Sequence, residues 1–134
     1  MNAKLLDKLE WSLLLKHLVS FCKTKEGQSK ASALLPDRKR AEVEERWELV
    51  EPLRQLVQQG YTPPLGELPE IAKIVRATSI GQTLDGEQLK VILLLLEMTS
   101  RCFIFAKDFK DNFSTLSFVQ SRLRPLPDLV KAIG

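Results

Sequence analysis

The sequence predicts an all-α fold, an irregular bundle of about six to seven helices around a central apolar helix over residues 84–105. Three observations lead there. Apolar residues recur at helical spacing in segment after segment, whereas no stretch alternates with the period of two that a half-buried strand requires. Proline and glycine fall mainly between these segments, where they act as stops. Finally, the run TLDGEQLKVILLLLEMTSRCFIF, from Thr83 to Phe105, is hydrophobic nearly all the way round a helix, leaving a narrow polar edge through Lys90, Glu97 and Arg101.

Each element has its own justification. Leu6, Leu9, Leu13, Leu14, Leu18, Phe21 and Cys22 give one amphipathic helix over residues 5–22, widened by Trp11 and Leu15. Thr24 is a natural cap for a second helix running to about Leu35, and Gly27 in its first turn suggests that another backbone comes close. Pro36 would end this helix, because a proline pushes the preceding residue out of the α region. Residues 37–59 form the most charged helix, with Val43, Trp47, Val50, Leu53, Leu56 and Val57 expected inward and Gly60 as its stop. Pro52 inside it removes one hydrogen bond, so a kink or break is expected between Glu48 and Pro52.

GYTPPLG, residues 60–66, reads as a loop, and Pro69 as the first-turn proline of a helix with Leu68, Ile71, Ile74 and Val75 inside. Asp85 and Gln88 have the spacing of a capping box, which starts the central helix at about Leu84 to Gly86. Beyond Phe105 the pattern weakens through AKDFKDN, resumes at Ser114 with Leu116, Val119 and Leu123, and closes with the short helix PDLVKAIG. The helices over residues 6–22, around Trp47 and over 68–75 are the expected wall around the central one. Because Val130 and Ile133 still keep helical rhythm, the chain is expected to be a piece cut from a longer protein.

Composition bounds the function more than it specifies it. With 134 residues and 44% hydrophobic content, one folded domain with a real core is expected. The net charge of +3 is mild but uneven: residues 1–40 carry nine Lys/Arg against four Asp/Glu, and residues 41–60 two against five. The longest unbroken apolar run, Val91 to Leu96, is far short of the roughly 18 residues a membrane span needs. Two cysteines in apolar helical contexts, no CxxC and a single histidine fit reduced thiols in a cytoplasmic protein and leave too few ligands for a zinc site.

No catalytic motif is present. There is no Walker-type loop, GxSxG, HExxH or GxGxxG, and Gly81-x-x-x-x-Gly86 is followed by Glu87 where a phosphate loop needs lysine. His17 near the edge of its apolar face reads as structural, and Asp108 with Asp111 as solvated surface. No catalytic, cofactor or metal residue is assigned. Arg38, Lys39 and Arg40 lie at a helix start, where the macrodipole disfavours cations, so they are the first candidates for contact with nucleic acid; Arg122 and Arg124 are the second.

A resemblance is carried by many weak positions in order: Leu9-Glu10-Trp11 with Leu14 and Leu18, Thr24-x-x-Gly27, Leu34-x-Pro36, PPLGEL with Ile71, Arg76-Ala77 with Gly81 and Leu84, Glu87-x-Leu89, and Leu126-Pro127-x-Leu129. Together they resemble the N-terminal region of the bacterial MutS-two family, MutS paralogues without the mismatch-reading domains. The chain departs from the family at Val50-Glu51-Pro52, where Thr-x-Glu is usual. The resemblance implies the start of the helical core and lever region. It further implies a longer protein with an ATPase using ATP and Mg, in many members a C-terminal Smr nuclease domain, and homodimers acting on DNA branches, in recombination control, or on the ribosome and its RNA. The other domains of the same chain would then be this segment's immediate partners, with no membrane. The alternative is a free-standing helical module for protein–protein interaction.

Overall fold

Residues 2–37 and 39–134 are described by a computed structural model. Among them lie eight helices and no strand: α1 (Ala3–Lys8), α2 (Trp11–Phe21), α3 (Lys25–Ser32), α4 (Arg40–Gln58), α5 (Ala72–Ser79), α6 (Gly86–Phe109), α7 (Ser114–Arg122) and α8 (Pro127–Ile133). The all-α class is as the sequence predicts.

The first predicted helix is in fact two. Glu10 takes a left-handed conformation with φ 51°, one that L residues adopt only at some cost, and this turns the chain between α1 and α2. The turn brings the Trp11 indole Nε1–H to the Leu34 carbonyl at 3.0 Å, which fastens the start of α2 to the end of the α3 segment. Thr24 caps α3 as its residue type suggests, its hydroxyl accepting from the Gly27 N–H at 3.0 Å. The close approach at Gly27 is to that cap: a Cβ there would lie 3.0 Å from the Thr24 hydroxyl, and no foreign backbone is involved. Helix α3 ends at Ser32, three residues before the expected stop.

The core lies where α4, α6 and α7 meet. Leu56, Ala106 and Leu116 are fully buried there, with Leu53, Phe105, Phe109, Phe113 and Val119 packed around them. Tyr61 and Phe105 close its edge, their rings 4.8 and 5.0 Å from that of Phe109. Helix α6 begins at the predicted capping box, with Asp85 accepting from the Gln88 N–H at 2.8 Å and Gln88 accepting from the Asp85 N–H at 3.0 Å. It runs one turn past Phe105, because Ala106 and Phe109 still face the core.

The wall of α6 differs from expectation. Helices α7 and α8 pack against it and the expected α4 meets it through Leu53 and Leu56 in the shared core, while α2 packs on α1 and α3. Pro69 lies before α5, which starts only at Ala72. Leu68 instead forms a parallel bridge with Thr24, donating to the Lys23 carbonyl at 3.4 Å, and the Ile71 N–H donates to the Glu26 carboxylate at 3.3 Å. These backbone contacts compete with a helical start at Pro69 and win.

Helix α4 is unbroken across Pro52. The proline leaves the Glu48 carbonyl without its usual i+4 donor. The buried Thr115 hydroxyl of α7 supplies the missing bond at 3.3 Å, so the defect is satisfied by a neighbouring helix. Gly60, with φ 90°, then ends α4 in a Schellman motif: Tyr61 N–H bonds to the Leu56 carbonyl and Gly60 N–H to that of Val57, both at 3.0 Å. Gly81 ends α5 in the same way, through Gln82 to Ala77 and Gly81 to Thr78.

Thr115→Val is expected to destabilise the protein by about 1 kcal/mol in urea unfolding, since it removes the part-buried hydrogen bond to the Glu48 carbonyl. The loss should shrink in a Pro52→Ala background, where residue 52 regains its own N–H; equal losses in both backgrounds would refute the coupling. Leu56→Ala should lose about 2–5 kcal/mol. Leu94→Asp, at a side chain 48% exposed, should lose about 1 kcal/mol or less.

Candidate functional site

The most conspicuous feature of the molecule is uncovered apolar surface. Its accessible area is 10299 Å², whereas a compact monomer of 15.2 kDa exposes about 7,000 Å². Two helices contribute most plainly. On α2, Leu13, Leu14, Leu18 and Phe21 are exposed. On α4, Val43, Trp47, Val50 and Val57 are exposed, contrary to the inward face the sequence suggests. Only Leu56 and the half-buried Leu53 of that expected face meet the core. Helical period identifies the apolar stripe without identifying its partner: one helix surface packs on α7, and the Trp47 side chain stays 56% exposed.

Polar groups with a catalytic look are dispersed. His17 is exposed, its ring 5.0 Å from that of Phe21 in an edge-on contact. Asp108 lies on α6 and Asp111 in the turn beyond it, both exposed. The two cysteines are free thiols. Cys102 sits 3.8 Å from the Pro64 carbonyl, and burial pushes its thiol up despite the opposing effect of Arg101. Among the described residues no group of three or more His, Cys, Asp or Glu side chains could hold a metal ion, and no helix is long and apolar enough to cross a membrane.

Of the candidate basic residues, Arg38 lies outside the described residues. Lys39 occupies the N-cap of α4 without a side-chain capping bond. Arg40 is tied to Glu44 at 2.7 Å on the exposed first turn. Arg122 closes α7 with its guanidinium 5.7 Å above the Phe118 ring, and Arg124 follows, exposed. No hydrogen bond or ion pair joins the Lys39 and Arg40 pair to the Arg122 and Arg124 pair among the described residues. Asp37, which bonds Arg46 at 3.2 Å, places a carboxylate close to the first pair and lowers its value as an anion site.

The strongest electrostatic arrangement is one that the sequence reading passes over, although its i,i+3 spacing signals it. Arg54 donates to both oxygens of Glu51, at 2.8 and 2.6 Å, and Gln55 adds a third bond at 3.2 Å. These bonds, the Arg54 one foremost, lower the Glu51 carboxyl from 4.5 to about 2, and the same pairing raises the Arg54 guanidinium.

What the fold and surface define is a helical module whose apolar faces are more prominent than any of its polar groups. Its relatives are consistent with that class. The chain is similar to Endonuclease MutS2 of Streptococcus agalactiae serotype III, 22% identical over 130 residues, covering 96% of this chain and 17% of the relative. It is similar to Endonuclease MutS2 of Lactobacillus johnsonii at 22% identity over 137 residues, covering all of this chain and 17% of the relative. The protein of the same name from Streptococcus pyogenes serotype M49 matches at 22% over 130 residues. The resemblance to the N-terminal region of the MutS2 proteins therefore holds from end to end, and the chain spans about a sixth of their length. No family profile matches the chain, and no solved structure matches it significantly.

Because the folded Glu51 pKa lies below its unfolded value, the stability it adds is fully present above pH 4.5 and is lost as pH falls through about 2. Helicity of α4 should decline across that window, as read by the Glu51 carboxyl and Arg54 Nε resonances. Glu51→Gln should abolish that part of the pH dependence; an unchanged profile would show that the pair contributes nothing.

Proposed function

We propose that this chain is the N-terminal helical domain of a MutS2-like protein, where it serves as part of the structural core and lever without performing chemistry itself. In this reading ATP and Mg bind elsewhere in the full-length protein. The domain transmits nucleotide-driven motion towards DNA, in recombination control, or towards the ribosome and its RNA. The observation that carries the reading is the end-to-end similarity to MutS2 proteins, joined to a surface about 3,000 Å² larger than a compact monomer needs. An excess of that size is more than one side of a permanent interface covers, about 1,000–2,500 Å² per partner. Leu13, Leu14 and Phe21 on α2, Ile104 on α6 and Phe118 on α7 are then faces for other domains of the same protein.

The test uses full-length protein and amide hydrogen exchange. Helices α2 and α6 should exchange at least about tenfold more slowly there than in the 134-residue chain, and their rates should change again when ATP and Mg are added. Rates indifferent to nucleotide would overturn the lever role. Direct contact with nucleic acid by this domain is tested separately: Lys39→Glu, Arg40→Glu, Arg122→Glu and Arg124→Glu together should reduce the salt dependence of binding by about 0.9 for each duplex DNA phosphate that these side chains neutralise. Unchanged binding would leave these four residues as surface only.

A further inference from the structure

Among the described residues the backbone is left-handed at Gly60 and Gly81, which close α4 and α5, and at Glu10. Glycine adopts that conformation freely, whereas a residue with a Cβ is disfavoured there roughly tenfold. The two glycine turns are therefore fixed parts of the fold. At Glu10 residue type and backbone disagree. Glutamate is among the better helix formers, yet here it is the left-handed N-cap of α2 and makes no side-chain bond to that helix.

The bend has few other supports. The Trp11 and Ser12 N–H groups at the start of α2 have no backbone acceptor among the described residues. No residue of α1 is buried: Leu5 and Leu9 are 45% and 57% exposed, and in this helix only Leu6 is half-buried. Helix α2, by contrast, is held on α3, with Trp11, Leu15, Val19 and Cys22 half-buried on one face and the Trp11 indole fastened to the Leu34 carbonyl. Turning φ and ψ of Glu10 alone to right-handed values would join Ala3 to Phe21 in one helix and give the Trp11 and Ser12 N–H groups the carbonyls of Asp7 and Lys8 as i−4 acceptors. On that helix Leu6, Leu9, Leu13, Leu14 and Phe21 fall within an arc of about 140°, opposite the half-buried face of α2, so its packing on α3 is undisturbed.

We propose that Glu10 is a hinge through which α1 alternates between its bent position and a straight continuation of α2. The bent form is held by the Leu6 contact and the packing of α1 on α2. The straight form releases Glu10 from the left-handed conformation and completes the hydrogen bonding at the start of α2. The hinge sets the length of an exposed apolar face, since in the straight form Leu6 and Leu9 prolong the row of Leu13, Leu14 and Phe21 by about two turns. A glycine at this position would fix the bend and abolish the alternation.

Spin-label distance measurements on the 134-residue chain test the hinge, with labels at Lys4→Cys and Ser20→Cys in a Cys22→Ser, Cys102→Ser background. A straight helix sets these two positions about 24 Å apart, and the bend brings them closer. Both distances should be present. Glu10→Gly removes the left-handed penalty and should reduce the longer population about tenfold. Glu10→Ala favours the helix without favouring the bend and should raise it about twofold. A readout without labels is the α-carbon chemical shift of Leu9, which is non-helical in the bent form with ψ 2°. It should move away from helical values in Glu10→Gly and towards them in Glu10→Ala. Absence of the longer distance from the chain with Glu10, an equal share of it in Glu10→Gly, or a Leu9 shift that moves the same way in both variants would overturn the proposal. No arm uses nucleotide or the full-length protein, so the outcome is separate from that of the lever test.

Discussion

The contact of Leu56, Ala106 and Leu116 is the constraint on which the remaining arrangement depends. These side chains come from three helices distant in sequence, and the ring of Phe105, Phe109, Phe113 and Tyr61 completes the only place where more than two helices share a buried centre among the described residues. Its position explains why α6 is longer than its apolar pattern suggests and why α7 begins where it does. It also explains how α4 tolerates a proline, because the packing that buries Leu56 brings the Thr115 hydroxyl to the one carbonyl Pro52 leaves unbonded.

Local chemistry is the legible part of this fold. The Asp85 and Gln88 capping box, the Thr24 cap, the Gly60 termination and Pro127 at the start of α8 all depend on residues within a few positions of one another, and each is where the sequence places it. Partnership is not legible. Periodicity identifies the Val43, Trp47 and Val50 stripe as apolar, but nothing in a helical period says whether such a stripe meets another helix of the same chain. Likewise a continuous apolar rhythm through Leu9 and Leu13 conceals the turn at Glu10, since a left-handed glutamate has no local signature.

The candidate basic residues show the same division. Their clustering in sequence is real, yet the structure pairs Arg40 with Glu44, sets Arg122 over an aromatic ring and leaves Lys39 and Arg124 on separate elements. The Glu51 and Arg54 pair has the strongest geometry, and its significance depends on a helix face that only the packing of α4 on α7 can place.

The bridge between Thr24 and Leu68 has a consequence for cooperativity. Helices α1, α2 and α3 pack on one another, whereas α4, α6, α7 and α8 form a separately packed set. The α4–α5 connection is tied to the first group by the Leu68 N–H to the Lys23 carbonyl, the Ile71 N–H to the Glu26 carboxylate and the buried Leu68 side chain. With the packing divided in this way, the N-terminal three helices are expected to open before the Leu56 core does.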